Sequence, residues 1–543
     1  MRKLFAVVLL VSFPVLANET SVHTLQSGST FGPTPLFDHG LHGEGQIIAV
    51  LDTGVDWDNC FFAEADGSAP PYNLRVTDTA VDLSRRKIIA YDFLYSCTAF
   101  PSASGCDDPS NPKAFDNQGH GTHAAASAVA DRGTPIAHDY GDAIAAGAKL
   151  IVQDAGYIGG DNCSQRPGIG CPVNLTPILA QAYAQGARIH SNSWGDSQGN
   201  AFAPKTANYS QSARDVDAFV YDHPDMLVVF NTGNYGLNAA PPASTLSAPG
   251  CAKNTLQVGG TRTVRRPEDD TVALYSLAGP TRDGRLKPDV VGPAQVTAGD
   301  SDLNVTTHNC DMSNQSGTSW ASPTLAGAAA LVRQYYTDGF YPSGVATPSD
   351  RFTPSAALLK ATIIAAARPV PYVGTPEGGF TNAPAAPNAQ QGFGFPVLGD
   401  VLYFPGNAAK LRVSESSLAQ GETTTSTVAV HAGTPLKVVL VWTDPPGVVR
   451  GTTDSTPELV NDLDLRVVDG GGNTIFGNDA LHPGQADRLN NVEAVTIANP
   501  SAGNYTISVN ANRIGSGARQ NYALVISGDV ADAAKVRHRA AGH

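Results

Sequence analysis

A carboxylate, an imidazole and a hydroxyl stand where apolar runs end or small-residue runs begin. Asp52 closes the run IIAVLD and opens DTGVD, His120 opens HGTHAAASAVA within GHGTHAAASAVA, and Ser319 lies in SGTSWASPTLAGAAALV. Together these side chains can run nucleophilic acyl transfer. A serine hydroxyl is a weak nucleophile at neutral pH, so an imidazole must take its proton. The imidazole needs a carboxylate to fix its tautomer and stabilise its charged form. The tetrahedral intermediate carries an oxyanion that needs aimed donors. Ser319 sits where a helix starts, so backbone N–H groups there lack partners and the local potential is positive. Pro323 fits such a start, because its missing N–H would have had no acceptor in the first turn.

Groups so far apart in sequence need a scaffold that gathers them. Between Gly45 and Ala367, short apolar runs (QIIAVLDTG, KLIVQDAG, ARIHSNSWG, MLVVFNTGN, TLQVGG) alternate with helix candidates such as HAAASAVA, LTPILAQAYAQG and SPTLAGAAALVRQYY. Several runs are apolar at successive positions, as strands buried on both faces should be. The alternation predicts an α/β domain with a mostly parallel sheet, whose functional groups collect where strands end. A stretch rich in Pro, Gly, Ala and Asn, Pro369 to Pro405, closes this region. Beyond it TSTVAVHAG, LKVVLVWTD, LDLRVVDG, AVTIANP, YTISVNA and YALVISGD read as strands between turn residues. They predict an all-β sandwich or barrel. The expected organisation is an N-terminal segment 1–17, a catalytic α/β domain 18–405, a β domain 408–528 and a disordered tail 529–543.

Residues 1–17 carry Arg2 and Lys3, an apolar run and Val15-Leu16-Ala17, the pattern of a secretory signal cleaved after Ala17. No other stretch approaches the roughly 20 apolar residues of a membrane span. The formal charge of −14 over 543 residues argues against nucleic acid and anionic membranes as partners. Export makes the seven cysteines readable as disulfides. Cys163 and Cys171 could close a small loop, one pair is expected among Cys60, Cys97 and Cys106, and Cys251 could reach Cys310. The absence of C-x-x-C argues against structural zinc.

DTGVD, GHGTHAA and GTSWASP, in the order Asp, His, Ser, resemble the three catalytic signatures of the subtilases, the subtilisin superfamily of serine endopeptidases. NTGN at Asn231–Asn234 resembles the element that supplies their side-chain oxyanion donor, which implies that role for Asn234 beside the Ser319 N–H. LVNDLDLRVVDGGG and RLNNVEAVTI look like the C-terminal β-barrel of oxidation-stable alkaline subtilases. The resemblance implies hydrolysis of protein or peptide substrates by a monomer that needs no cofactor for catalysis. It also implies that Ser193, Trp194 and Gly195 form one wall of the substrate cleft by strand pairing, with Gly168, Ile169 and Gly170 as the opposite wall. Tyr235 stands where an acidic residue often borders the S1 rim, which implies an apolar or aromatic P1 residue with broad tolerance.

Other readings compete for some of these residues. GDSQG, Gly195–Gly199, fits the G-x-S-x-G turn of α/β-hydrolases and would make Ser197 the nucleophile of an esterase, but that leaves DTG and GHGTH unexplained. A pepsin-like dyad needs two carboxylates sharing a proton, and there is one DTG and no DSG. A silent, substrate-binding scaffold is a further alternative. His123 reads as structural and Trp442 as core. Asp462 and Asp464 alternate onto one face and could hold a structural calcium ion, though solvated turn acids explain them as well. Besides Tyr235, three features depart from the family pattern. The stretch between Ala17 and Asp52 is too short for the long pro-segment of many secreted subtilases, so either the enzyme folds without one or the sequence begins after it. SLAGPT, Ser276–Thr281, lacks the usual Arg, which alters support of that loop. Trp320 replaces the Met that commonly follows the nucleophile. Because methionine oxidises readily to a polar sulfoxide, activity should survive dilute peroxide. Inactivation as fast as that of a Met-bearing subtilisin would contradict this.

Overall fold

In the computed structural model, residues 18–531 are described except 102–105, 117, 134–137, 157–173, 196–205, 237–240 and 263–270. The N-terminal region is built on strands β1 (Ile47–Asp52), β2 (Ile88–Phe93), β3 (Lys149–Asp154), β4 (Ile189–Asn192), β5 (Leu227–Asn231), β6 (Leu256–Arg262) and β7 (Val290–Pro293). They pair in parallel in the order β2-β3-β1-β4-β5-β6-β7. β1 is therefore the point where the winding reverses, with β2 and β3 on one side and β4 to β7 on the other. Crevices at the carboxyl ends of strands open at such points. Register makes the central ends level, with Asp52 opposite Asp154 and Leu51 opposite Asn192.

Helices α1 (His120–Val129), α2 (Leu175–Ala184), α3 (Gln211–Asp222), α4 (Thr318–Thr337) and α5 (Ala356–Ala366) cover the sheet. α1 and α4 are made largely of Ala, Gly, Ser and Thr, so they can approach closely. A Cβ at Gly327 of α4 would stand 2.7 Å from the Ala128 carbonyl of α1. An antiparallel hairpin, β8 (Gln295–Gly299) and β9 (Met312–Ser316), leads directly into α4.

The loop between β8 and β9 is fastened beside the segment that follows Asp52. Asn59 Nδ2 donates to the Asp300 carbonyl (2.8 Å) and to Asn309 Oδ1 (2.9 Å), and Cys60 is bonded to Cys310. This corrects the expected Cys251–Cys310 bridge. Cys251 is a buried thiol near the β domain, where its Sγ lies 3.2 Å from the Asn208 carbonyl. Cys97–Cys106 supplies the pair expected within the N-terminal group. Cys163 and Cys171 lie outside the described residues.

The β domain comprises β10 (Lys410–Leu418), β11 (Thr423–Val430), β12 (Leu436–Val441), β13 (Asn461–Val468), β14 (Thr474–Phe476), β15 (Val492–Ile497), β16 (Gly503–Ile514) and β17 (Gln520–Gly528). They form two antiparallel four-stranded sheets, ordered β10-β17-β12-β15 and β11-β16-β13-β14. Alternating residues such as Leu463, Leu465, Val467, Ile507 and Val509 fill the space between them with Trp442. The Trp442 Nε1 donates to the Asn461 carbonyl (3.0 Å), so it is core as expected. Asp462 and Asp464 do not fit the calcium site suggested for them. The Arg488 guanidinium bridges the two carboxylates, and Asn512 Nδ2 also donates to Asp462 (2.8 Å), so a cationic side chain holds the position a metal would need.

The two domains share a buried seam. Val439, Val441, Ala523 and Val525 join the α/β core, with β12 and β17 against α5. Lys253, in the turn before β6, pairs with Asp444 of the β domain, both fully buried. Lys253 Nζ also donates to the carbonyls of Pro445 (2.6 Å) and Glu458 (2.9 Å). Asn254 exchanges two hydrogen bonds with the Asp444 backbone, both 2.9 Å. Removing one partner leaves a buried charge uncompensated, which costs about 3–5 kcal/mol. Lys253→Ala should lower urea stability by that amount, and loss within 1 kcal/mol would show the seam to be incidental.

Candidate active site

Two turns meet backbone to backbone above the end of β1. Gly54 of DTG has φ +96°, and a Cβ there would lie 1.6 Å from the Phe115 carbonyl. A Cβ on Gly121, in the first turn of α1, would lie 2.0 Å from the Gly54 carbonyl. Any side chain at either position would push the turns apart. Asp116 fastens them together. Its carboxylate accepts from Thr53 Oγ1 (2.9 Å), Gly119 N (2.9 Å), Thr122 N (2.9 Å) and Thr122 Oγ1 (2.6 Å). Thr53 Oγ1 then accepts from Gly121 N (2.8 Å). Burial raises the Asp116 pKa to about 6, against these hydrogen bonds, which lower it. Sequence reasoning missed this residue. Its signal was an acceptor side chain placed before the helix start in DNQGHGTH.

That junction sets His120 Nδ1 2.6 Å from Asp52 Oδ1. A carboxylate oxygen accepts, so Nδ1 carries the proton and Nε2 of the neutral ring is left as the acceptor. Asp52 Oδ1 also accepts from Thr53 N (2.8 Å). The Asp52 side chain is 1% exposed and that of His120 33%, so the imidazole reaches the surface while its partner does not. Burial works to lower the His120 pKa, but the charge and hydrogen bond of Asp52 outweigh it and hold the imidazole above its ordinary value.

Ser319 lies in the first turn of α4, after Gly317. Its Oγ donates to the Ser193 carbonyl (3.2 Å), while Ser193 Oγ donates to the Ser319 carbonyl (2.6 Å) and Ser322 Oγ to the Asn192 carbonyl (3.1 Å). These bonds seat the start of α4 on the end of β4. Ser193, expected in the cleft wall, thus touches Ser319 directly, a role sequence reasoning missed along with Ser322. Asn234 follows β5, and its Oδ1 accepts from Thr318 N (2.9 Å) and Thr318 Oγ1 (3.0 Å). A backbone N–H can only donate, so the amide orientation is fixed and Nδ2 faces away as a donor.

Trp320 is 3% exposed. Its ring lies 4.8 Å from that of His120 and 4.2 Å from that of His123, between centroids. His123 donates Nε2–H to the Ser313 carbonyl (3.2 Å), and burial pushes its pKa down to about 4, which fits a structural role. Trp194 packs edge-on against Phe230 (5.4 Å between centroids), and Gly195 fits closely beside Ser247, whose Oγ a Cβ would meet at 2.0 Å. Tyr235 N donates to the Tyr275 carbonyl (2.7 Å). In place of the family Arg, the SLAGPT loop is held by main-chain bonds, including Leu277 N to the Gly233 carbonyl (3.2 Å) and Thr245 N to the Ala278 carbonyl (3.0 Å). Gly168, Ile169, Gly170 and Ser197 lie outside the described residues. Among the described residues, no group of three or more His, Cys, Asp or Glu is arranged to hold a metal ion.

Comparison with known proteins agrees with this geometry. Residues 43–394 match the subtilase family and residues 422–511 the bacterial pre-peptidase C-terminal domain. The serine protease/ABC transporter B family protein tagD of Dictyostelium discoideum is 26% identical over 584 aligned positions, covering 84% of this chain and 30% of that protein. The serine protease AprX of Bacillus subtilis is 31% identical over 143 positions, covering 22% of this chain and 32% of that protein. The chain thus spans about a third of the length of the curated relatives it matches. The crystal structure of the serine protease of Aeromonas sobria superposes with TM-score 0.40 at 14% identity, covering 94% of each chain. At that score the superposition adds nothing to the assignment, which rests on the match across residues 43–394. The chain belongs to the subtilase family, with the family match in its α/β domain and a pre-peptidase C-terminal β domain after it.

Proposed function

We propose that this subtilase is a secreted endopeptidase that cleaves proteins through an acyl-enzyme on Ser319. The observation that carries the reading is the 2.6 Å contact between His120 Nδ1 and buried Asp52, formed where the chain also brings the start of α4. A substrate strand pairs along Ser193–Gly195. Ser319 Oγ turns from the Ser193 carbonyl toward His120 Nε2, a contact that tightens when substrate binds. It then attacks the scissile carbonyl as His120 takes its proton. The oxyanion receives the Asn234 Nδ2 donor and the Ser319 N–H. His120 returns the proton to the leaving amine, and water repeats the sequence to free the acid. Asp52 holds the tautomer throughout and stabilises the imidazolium. An apolar P1 residue is favoured, and residues 1–17 direct export. No step needs a cofactor.

Fluorophosphonate labelling followed by peptide mapping tests the nucleophile. The tag should fall on Ser319, vanish in Ser319→Ala, and accompany casein hydrolysis and a preference for apolar P1 in a chromogenic peptide panel. A tag on Ser197, or none on folded protein, overturns the mechanism, and a preference for Arg or Lys overturns the P1 reading. The pH profile tests the dyad. His120 is a base only when neutral, and Asp52 favours its charged form, so activity is lost as pH falls through a raised pKa. The acid limb of kcat/KM should lie above the ordinary imidazole value of about 6.5. Asp52→Asn should move it down and reduce kcat by about 10⁴-fold, as in other triads. An acid limb below that value in the unmodified enzyme would contradict the assignment.

A further inference from the structure

Gly317, the residue before α4, leaves a space beside its Cα that would just hold one more atom. A Cβ built there would meet three atoms within 4 Å: Asn234 Nδ2 at 3.6 Å, Trp320 Nε1 at 3.6 Å and Asn234 Oδ1 at 3.8 Å. Oδ1 is already engaged by Thr318. Two N–H-bearing nitrogens from different elements therefore flank one atom-sized space at the start of the helix that carries Ser319. The Trp320 Nε1 is shielded from solvent and has no acceptor among the described residues. A buried indole N–H normally finds one, and leaving it unpaired is costly. The orphaned donor is explained if its acceptor arrives with the substrate.

We propose that the Trp320 indole N–H is an additional oxyanion donor, acting beside Asn234 Nδ2 and the Ser319 N–H on the oxygen of the tetrahedral intermediate. The proposal rests on Ser319 being the nucleophile. Three observations support it. The indole ring is held rigidly, with His120 and His123 against it at 4.8 and 4.2 Å, so the N–H direction is set before reaction. Preorganised donors of this kind need no reorienting when charge develops. Trp320 directly follows Ser319, so its N–H and the Ser319 N–H are carried by the same rigid first turn of α4. Finally, Gly317 has φ 165°, an extended conformation open to any residue, so its lack of a side chain serves the space rather than the backbone. A sulfur or aliphatic side chain at position 320 could not make this contact.

The test separates the N–H from the ring. Trp320→Phe keeps an aromatic ring, and replacing Trp320 with the benzothiophene analogue of tryptophan keeps the shape and removes only the N–H. Kinetics with a peptide anilide and inhibition by a peptide aldehyde, whose hemiacetal oxygen occupies the oxyanion position, are read in each. The expected result for the analogue is a fall of about tenfold in kcat, KM unchanged, and aldehyde affinity weakened by the same factor, because the donor acts on the transition state rather than the ground state. Gly317→Ala should fold and lose kcat and aldehyde affinity together, since its methyl occupies the shared space. Unchanged kcat and aldehyde affinity in the analogue overturn the proposal. So does a loss confined to Trp320→Phe, which would make ring packing against His120 the role of the residue. Fluorophosphonate labelling of the unmodified enzyme keeps the two levels apart. If Ser319 is not labelled, the nucleophile assignment itself fails. If it is labelled and the analogue is fully active, only the role of Trp320 fails.

Discussion

The site depends on one buried carboxylate that does no chemistry. Asp116 takes four short hydrogen bonds from Thr53, Gly119 and Thr122, two segments far apart in sequence. Taking a carboxylate out of water is costly unless donors replace the lost hydration, and here they come from the very groups that must be immobilised. The turn after β1 and the start of α1 are drawn together until their backbones touch, which only Gly54 and Gly121 permit. The 2.6 Å contact of Asp52 with His120 follows from that approach. Separated by more than an ångström, the same two side chains would share the cleft without a hydrogen bond, and the ring would be free to choose either tautomer.

What could be read from the sequence follows from this arrangement. DTG, GHGTH and GTS are legible because each couples a reactive residue to small neighbours required by close packing, so chemistry and geometry mark the same positions. The parallel sheet was legible because its strands are buried on both faces and read as continuous apolar runs. Asp116 was not, since an aspartate in a polar loop looks the same whether it faces solvent or five donors. Ser193 was legible as part of a strand end, but its exchange of hydrogen bonds with Ser319 depends on how deeply α4 sits, which local pattern does not encode. The cysteines failed for a related reason. Pairing is decided by which loops fold over one another, and the loop carrying Cys310 is drawn over Asn59 by side-chain amides, leaving Cys251 on the far side beside the β domain.

The β domain is fused to the α/β domain rather than appended. A tethered module would meet its neighbour through solvated, adaptable contacts. This one buries a lysine–aspartate pair and continues the apolar core of α5 across the boundary. The Lys253 turn leads into β6, whose neighbour β5 ends at the segment bearing Asn234. The β domain therefore braces the strand layer from which the Asn234 amide projects, so the placement of that amide is partly set outside the α/β domain that holds Ser319. Such a seam is also demanding, because neither surface can be exposed without stranding buried charge.

Electrostatics at the strand ends obey the same economy. Three buried titratable groups near the strand ends are held neutral. Burial pushes His123 down to about 4 and His190 down to about 3. Burial, with the charge of Asp107, raises Asp154 well above the ordinary carboxylate range, although it lies directly opposite Asp52 in the sheet. A charged His123 would repel the imidazolium that forms on His120, and an ionised Asp154 would offer a second counter-charge beside Asp52. Against the burial that lowers the His120 pKa, Asp52 and, more weakly, Asp116 supply negative charge, while the start of α4 adds positive potential. Under the proposed mechanism, proton transfer from Ser319 to His120 moves positive charge toward Asp52 and Asp116 while negative charge grows at the helix terminus, so both halves of the developing dipole are stabilised by groups that were in place beforehand.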